Sequence, residues 1–154
     1  QLQAMRLPPL QLLNLAQLRE YPELLKERKR VFNAYSDAFS ACDWAIVPPS
    51  VDGEKESSYH IYALRIKDFT EEQRDRMIDE IAKSEVAVNV HFIPMPMLSF
   101  FKSMGYDIKD YPQAYQNFKS EISLPIYPQL DSEKLNFIIE TVKGAYATVI
   151  AENR

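Results

Sequence analysis

His91 and His60 are the side chains here best suited to chemistry near neutral pH, since imidazole is the side chain whose ordinary titration falls there. His91 stands in Val88-Asn-Val-His-Phe-Ile-Pro-Met95, an apolar run that presents one histidine just before Pro94 breaks it. A neutral imidazole offers one donor and one acceptor, which suits ligand recognition better than proton transfer. The competing reading is a half-buried histidine satisfied by a backbone carbonyl. His60 lies in Ser58-Tyr-His-Ile-Tyr-Ala-Leu-Arg-Ile66, beside Tyr59 and Tyr62. In an apolar central strand such residues are most often structural, each using its polar end to satisfy a neighbour. The two histidines are far apart, with no HExxH pattern and no nearby cysteine, which argues against zinc.

Other chemistries lack their residues. The three glycines, at 53, 105 and 144, are not spaced as a dinucleotide or phosphate-loop fingerprint, and no serine has a nucleophile-elbow context. The net charge of −4 comes from interspersed acids and bases, so no basic face exists for a nucleic acid. Cys42 stands alone, which excludes an intramolecular disulfide and fits a reducing, cytoplasmic compartment. No apolar run approaches the roughly twenty residues of a membrane helix. The chain has no initiator methionine, and Pro8, Pro9, Arg19 and Glu20 interrupt any signal-peptide core. We expect a soluble piece of a longer protein.

The elements that must position the histidines are legible from periodicity. A leucine-rich helix over 10–18 should stop or restart at Tyr21-Pro22. Leu24, Leu25, Arg28, Val31, Phe32, Tyr35, Ala38 and Phe39 then form one helical stripe. Trp44-Ala-Ile-Val47 is a short apolar run, 51–57 a polar connection, and 59–66 a central strand of a covered sheet. Thr70 and Gln73 are spaced as a capping box for a helix that buries Met77, Ile78, Ile81 and Ala82. A strand is expected over 86–93, a short helix over 97–104 closed by Gly105, and a further helix capped by Asp110 with Pro112 in its first turn. The last helix, from Asp131 or Ser132, carries Leu135, Ile138, Ile139, Val142, Tyr146 and Val149 on one stripe. Met95, Met97, Phe100 and Phe101 are spaced to line a lid, or to pack in a core or between domains. The class is α+β: one domain of two layers, helices on one face of a small, mainly antiparallel sheet.

The ordered set Leu15-Ala-Gln-Leu18, Glu23-Leu-Leu-Lys-Glu-Arg-Lys-Arg30, Tyr59-His-Ile-Tyr62, Val90-His-Phe-Ile-Pro94, Tyr111-Pro-Gln-Ala114 and Leu124-Pro-Ile-Tyr-Pro128 resembles the C-terminal third of the DegT/StrS family of sugar aminotransferases. The resemblance covers almost the whole chain. It implies a fold-type I enzyme that uses pyridoxal phosphate to move an amino group, typically from glutamate, onto a nucleotide-linked keto sugar. The implied role of residues 1–154 is the C-terminal small domain, which helps close the active site and form a homodimer. The cofactor lysine and the acid facing the pyridinium nitrogen would belong to a larger domain, so this chain alone should bind no cofactor and be inactive.

The resemblance also implies ligand contacts. Gln3 aligns with an asparagine that reaches the cofactor phosphate of the partner subunit, and Arg6 covers a neighbouring basic position able to fork a phosphate oxygen. His91 matches a histidine that faces the sugar nucleotide, with His60 a weaker substrate-binding candidate. Phe92 stands where tyrosine is frequent and Pro96 where a second histidine is common; both changes remove hydrogen-bonding groups. Two alternatives stay open: a stand-alone α+β interaction module without catalysis, favoured by the departures at Gln3, Phe92 and Pro96, and the small domain of a sugar dehydratase.

Overall fold

The computed structural model of the protein describes residues 9–152. It begins with one long helix, α1 (Pro9–Ser40), that runs through Pro22 instead of stopping there. A proline costs the helix one amide bond and a steric adjustment, and the neighbouring Leu, Gln, Arg, Glu and Lys residues are good helix formers. Residues 15–23 are exposed, whereas Val31, Phe32, Tyr35 and Phe39 are fully buried on the expected stripe. Each such buried side chain contributes roughly 1.5–3 kcal/mol of burial free energy.

After α1 come β1 (Ala45–Ile46), then the hairpin of β2 (Val51–Asp52) and β3 (Lys55–Glu56), where a simple polar connection was expected. Gly53, at φ 60°, supplies the left-handed residue of that tight turn. The central strand β4 is Tyr62–Ile66, shorter than the expected 59–66. Tyr59 instead takes φ 53°. Its ring is packed 5.2 Å from that of Phe32, and its hydroxyl donates to Glu56 Oε1 at 2.8 Å. Packing of this one ring outweighs the strand preference of its sequence.

Helix α2 (Glu71–Ala82) starts at the expected capping box: Gln73 N donates to Thr70 Oγ1 at 3.2 Å, and Thr70 N to Gln73 Oε1 at 2.9 Å. Met77 and Ile81 are buried, Ala82 is exposed, and Arg74 is buried among them. A 3-10 turn at Met95–Met97 leads into α3 (Ser99–Ser103), and a second at Ile108–Asp110 into α4 (Pro112–Phe118). The residue preceding α4 is Tyr111, which makes no side-chain cap; Asp110 lies within the 3-10 turn. Strand β5 (Glu121–Leu124) follows, then α5 (Ser132–Glu152), whose start is fixed by Asp131 Oδ1 accepting from Lys134 N at 2.8 Å.

The sheet has the order β1-β4-β5, antiparallel throughout, with Tyr62 opposite Leu124, Leu64 opposite Ile122 and Arg65 opposite Glu121. Because side chains alternate along a strand, Tyr62, Leu64, Ile66, Ile122 and Leu124 all point to one face, where α1 and α5 cover them. Leu135, Ile138, Ile139, Val142, Ala145 and Val149 form the buried stripe of α5, and Trp44 stacks on Tyr146 at 4.2 Å. This is the expected α+β arrangement of helices on an antiparallel sheet. The opposite sheet face carries Ala63, Arg65, Glu121 and Ser123, and it borders the candidate functional region.

Candidate functional site

The segment 86–93, expected as a strand, meets the sheet at a single backbone bridge. Asn89 N donates to Ser123 O at 3.2 Å, and Ser123 N donates to Asn89 O at 2.7 Å. Backbone pairing goes no further, and the Asn89 side chain turns back on its own neighbour, Oδ1 accepting from Val90 N at 2.8 Å. Two residues on, a side chain replaces the missing backbone partner. His91 N donates to Glu121 Oε2 at 3.0 Å, while the other carboxylate oxygen accepts from the Ser123 hydroxyl.

Glu121 is 5 % exposed. Burial pushes its carboxyl group above the ordinary range, and the bonds from Ser123 and the His91 amide, with the positive charge of Arg74, pull partly the other way. An acidic side chain that starts a buried strand is costly unless hydrogen-bonded, and here both oxygens are used.

His91 is half-buried, its ring edge-on to Phe92 at 4.6 Å. Its Nδ1 is buried and has no hydrogen-bond partner among the described residues. An unpaired buried polar atom costs about 1–3 kcal/mol. The ring is part of the wall of two open clefts. The first, of ≈ 420 Å³, lies on the open sheet face between Pro48, Pro49, Arg65, Phe92, Asn117 and Glu121. Arg65 Nη1 donates to Asn117 Oδ1 and so ties β4 to α4 across that cleft. The second, of ≈ 360 Å³, is lined by His60, Ile61, Val88, Asn89, Ser123 and Pro125 as well as His91.

The two sequence-selected histidines therefore share one cleft, His91 at its wall and His60 on an exposed strand approach. Tyr59 and Tyr62 turn into the core and face neither cleft. Gln3 and Arg6 lie outside the described residues. The Met and Phe cluster is not core: Met95 and Phe100 are largely exposed, Met97 and Phe101 half-buried, and Met95 and Phe101 border an apolar hollow of ≈ 320 Å³ with Tyr106 and Tyr111. Neither histidine cleft is lined by a lysine, so the residues of these clefts do not make a covalent pyridoxal-phosphate site by themselves. Among the described residues no three His, Cys, Asp or Glu side chains converge as metal ligands, and no helix is long and apolar enough to cross a membrane.

Sequence reasoning missed Glu121, Ser123, Arg65 and Asn117. The available signal was the alternation Glu121-Ile-Ser-Leu124, polar and apolar by turns, which sets a carboxylate and a hydroxyl on one sheet face.

Residues 5–143, which include both histidines and Glu121, match the model of the DegT/DnrJ/EryC1/StrS aminotransferase family. The chain belongs to this family. Among relatives, it is 29 % identical over 140 residues to the uncharacterized protein MJ1066 of Methanocaldococcus jannaschii, covering 90 % of this chain and 35 % of that protein. It is 23 % identical over 130 residues to the UDP-4-amino-4,6-dideoxy-N-acetyl-beta-L-altrosamine transaminase of Campylobacter jejuni, covering 84 % and 34 %. Among solved structures, the apo-form of "Putative sugar aminotransferase Spr1654" from Streptococcus pneumoniae superposes with a TM-score of 0.86 at 37 % identity, covering 90 % of this chain and 35 % of that one. Spr1654 has also been solved in its PLP and PMP forms. The chain thus spans about a third of the length of the family members it matches.

Proposed function

We propose that residues 1–154 are the C-terminal small domain of a pyridoxal-phosphate-dependent aminotransferase that moves an amino group, from glutamate, onto a nucleotide-linked keto sugar. The chain helps close the active site and form a homodimer in the cytoplasm. Cofactor and Schiff-base lysine belong to the larger domain of the parent enzyme, and this chain alone is inactive. Family membership supports the chemistry, and the transaminase named among its relatives supports the nucleotide-sugar class.

The observation that carries the site is His91, a half-buried histidine at the shared wall of two open clefts. In this reading the imidazole binds and orients the sugar nucleotide through Nε2, since Nδ1 is buried, as donor or acceptor according to tautomer. His60 contacts substrate from the second cleft. Arg6 forks a phosphate or diphosphate oxygen, and Gln3 reaches the cofactor phosphate of the partner subunit. In the intact parent, His91→Ala should raise KM for the keto sugar nucleotide about tenfold, as loss of a hydrogen bond of ~1.4 kcal/mol implies, with kcat changed little. A large loss of kcat at unchanged KM would contradict the recognition role.

A further inference from the structure

Glu121 is more deeply buried than either histidine, and the aminotransferase chemistry proposed above assigns it nothing. Its position is specific. It sits on the open face of β5, opposite Arg65, and its carboxylate forms part of the first cleft where His91 also stands. Both oxygens are committed, one to the main-chain amide of His91 and one to the hydroxyl of Ser123. The backbone bridge at Asn89 and Ser123 holds the segment before His91, and Pro94 ends it after, so the Glu121 side chain is what bonds His91 itself to the sheet.

We propose that Glu121 is a positioning residue, a buried carboxylate that clamps the His91 main chain to the sheet and so sets the imidazole at the wall between the two clefts. A carboxylate suits this task for two reasons. It accepts from two donors at once, and a charged acceptor makes a stronger bond to an amide than a neutral one. The charge is tolerated because the groups facing it are donors or cations: the His91 amide from the 86–93 segment, the Ser123 hydroxyl from β5, Arg65 from β4 and the field of Arg74 from α2. Segment 86–93 lacks a ladder, so without this bond its far end has no anchor to β5 beyond Asn89. The consequence for function rests on the substrate role proposed for His91: loosening the clamp should spread the imidazole over several positions and weaken binding without altering the reacting atoms.

The test uses the full-length enzyme and two readouts. Hydrogen exchange at the peptide spanning His91 should speed up at least tenfold in Glu121→Ala and stay near wild type in Glu121→Gln, whose amide oxygen still accepts from the His91 N–H. The same exchange in Glu121→Ala and wild type would overturn the clamp. Should Glu121→Ala not fold, Glu121→Asp decides: its carboxylate is one methylene too short, so fast exchange in Asp and slow exchange in Gln upholds the inference, and equal exchange overturns it. Kinetics with a UDP-linked 4-keto-6-deoxy-N-acetylhexosamine as amino acceptor then separate positioning from plain stability. KM should rise about tenfold in Glu121→Ala, be rescued in Glu121→Gln, and rise no further when His91→Ala is added. Independent, multiplying effects of the two substitutions would overturn it. If His91→Ala leaves KM unchanged, or wild type does not use this acceptor, the substrate reading of His91 has failed for that sugar, and the exchange result alone judges the clamp.

Discussion

The guanidinium of Arg74 lies 4.9 Å over the ring of Phe118 while its Nη1 donates to the Phe118 carbonyl at 3.0 Å, joining α2 to the last turn of α4. Arg74 is 3 % exposed and also pairs with Asp75 and Glu71, so one buried cation satisfies a helix-end carbonyl, an aromatic face and two acids. Through α4 it supports Asn117, which faces the first cleft.

Removing that cation should be among the most damaging single changes in the domain. Arg74→Ala leaves a buried cavity and an unpaired Phe118 carbonyl, which alone costs about 1–3 kcal/mol, while the acids it releases, Glu71 and Asp75, can turn to water. Urea unfolding would measure it, and a loss below about 1 kcal/mol would mean that water replaces the arginine. Arg74→Met, which keeps the aliphatic packing, should cost less.

The capping box makes a smaller prediction. Thr70→Ala removes the acceptor for Gln73 N and should lower stability by about 1 kcal/mol, a shift of roughly 2–4 °C in Tm for a chain of this size. Thr70→Ser keeps the oxygen and should be close to neutral, as a thermal melt of the three proteins would reveal.

Glu121 predicts a pH dependence with a defined sign. Its folded-state carboxyl titrates above the ordinary value of 4.5, chiefly because it is buried. Between the unfolded and folded values the native state binds more protons than the unfolded one, so this group lowers stability as pH rises through that window. Below the unfolded value the penalty is absent, and above the folded value it is complete. Glu121→Gln has no such titration. The stability difference, variant minus wild type, should therefore grow from pH 4.5 toward neutrality; a difference that stays flat or shrinks would mean that the carboxylate is not strained by burial.

Much of this architecture can be read in the residues before any coordinates. The α5 stripe and the Thr70 and Gln73 pair are local patterns, and local patterns survive folding because each is satisfied within one element. The errors came where partners are distant. The run 86–93 has the composition of a strand, yet whether it pairs depends on Ser123 and Glu121, some thirty residues later. Tyr59 leaves the strand because Phe32 and Glu56 hold its ring and hydroxyl. His91 stands out by its residue type and its place before Pro94, and the family resemblance is what gives it a ligand-binding reading. Glu121 does not stand out, because an acid in an apolar run becomes informative only once the strand face it occupies is known.

The central claim is that this chain serves a pyridoxal-phosphate aminotransferase, and an absorbance spectrum of the purified full-length parent with added pyridoxal phosphate tests it most directly. The account predicts a Schiff-base band that glutamate discharges and that the keto sugar nucleotide restores. A folded parent with no such band, or with a band that glutamate leaves intact, would contradict it.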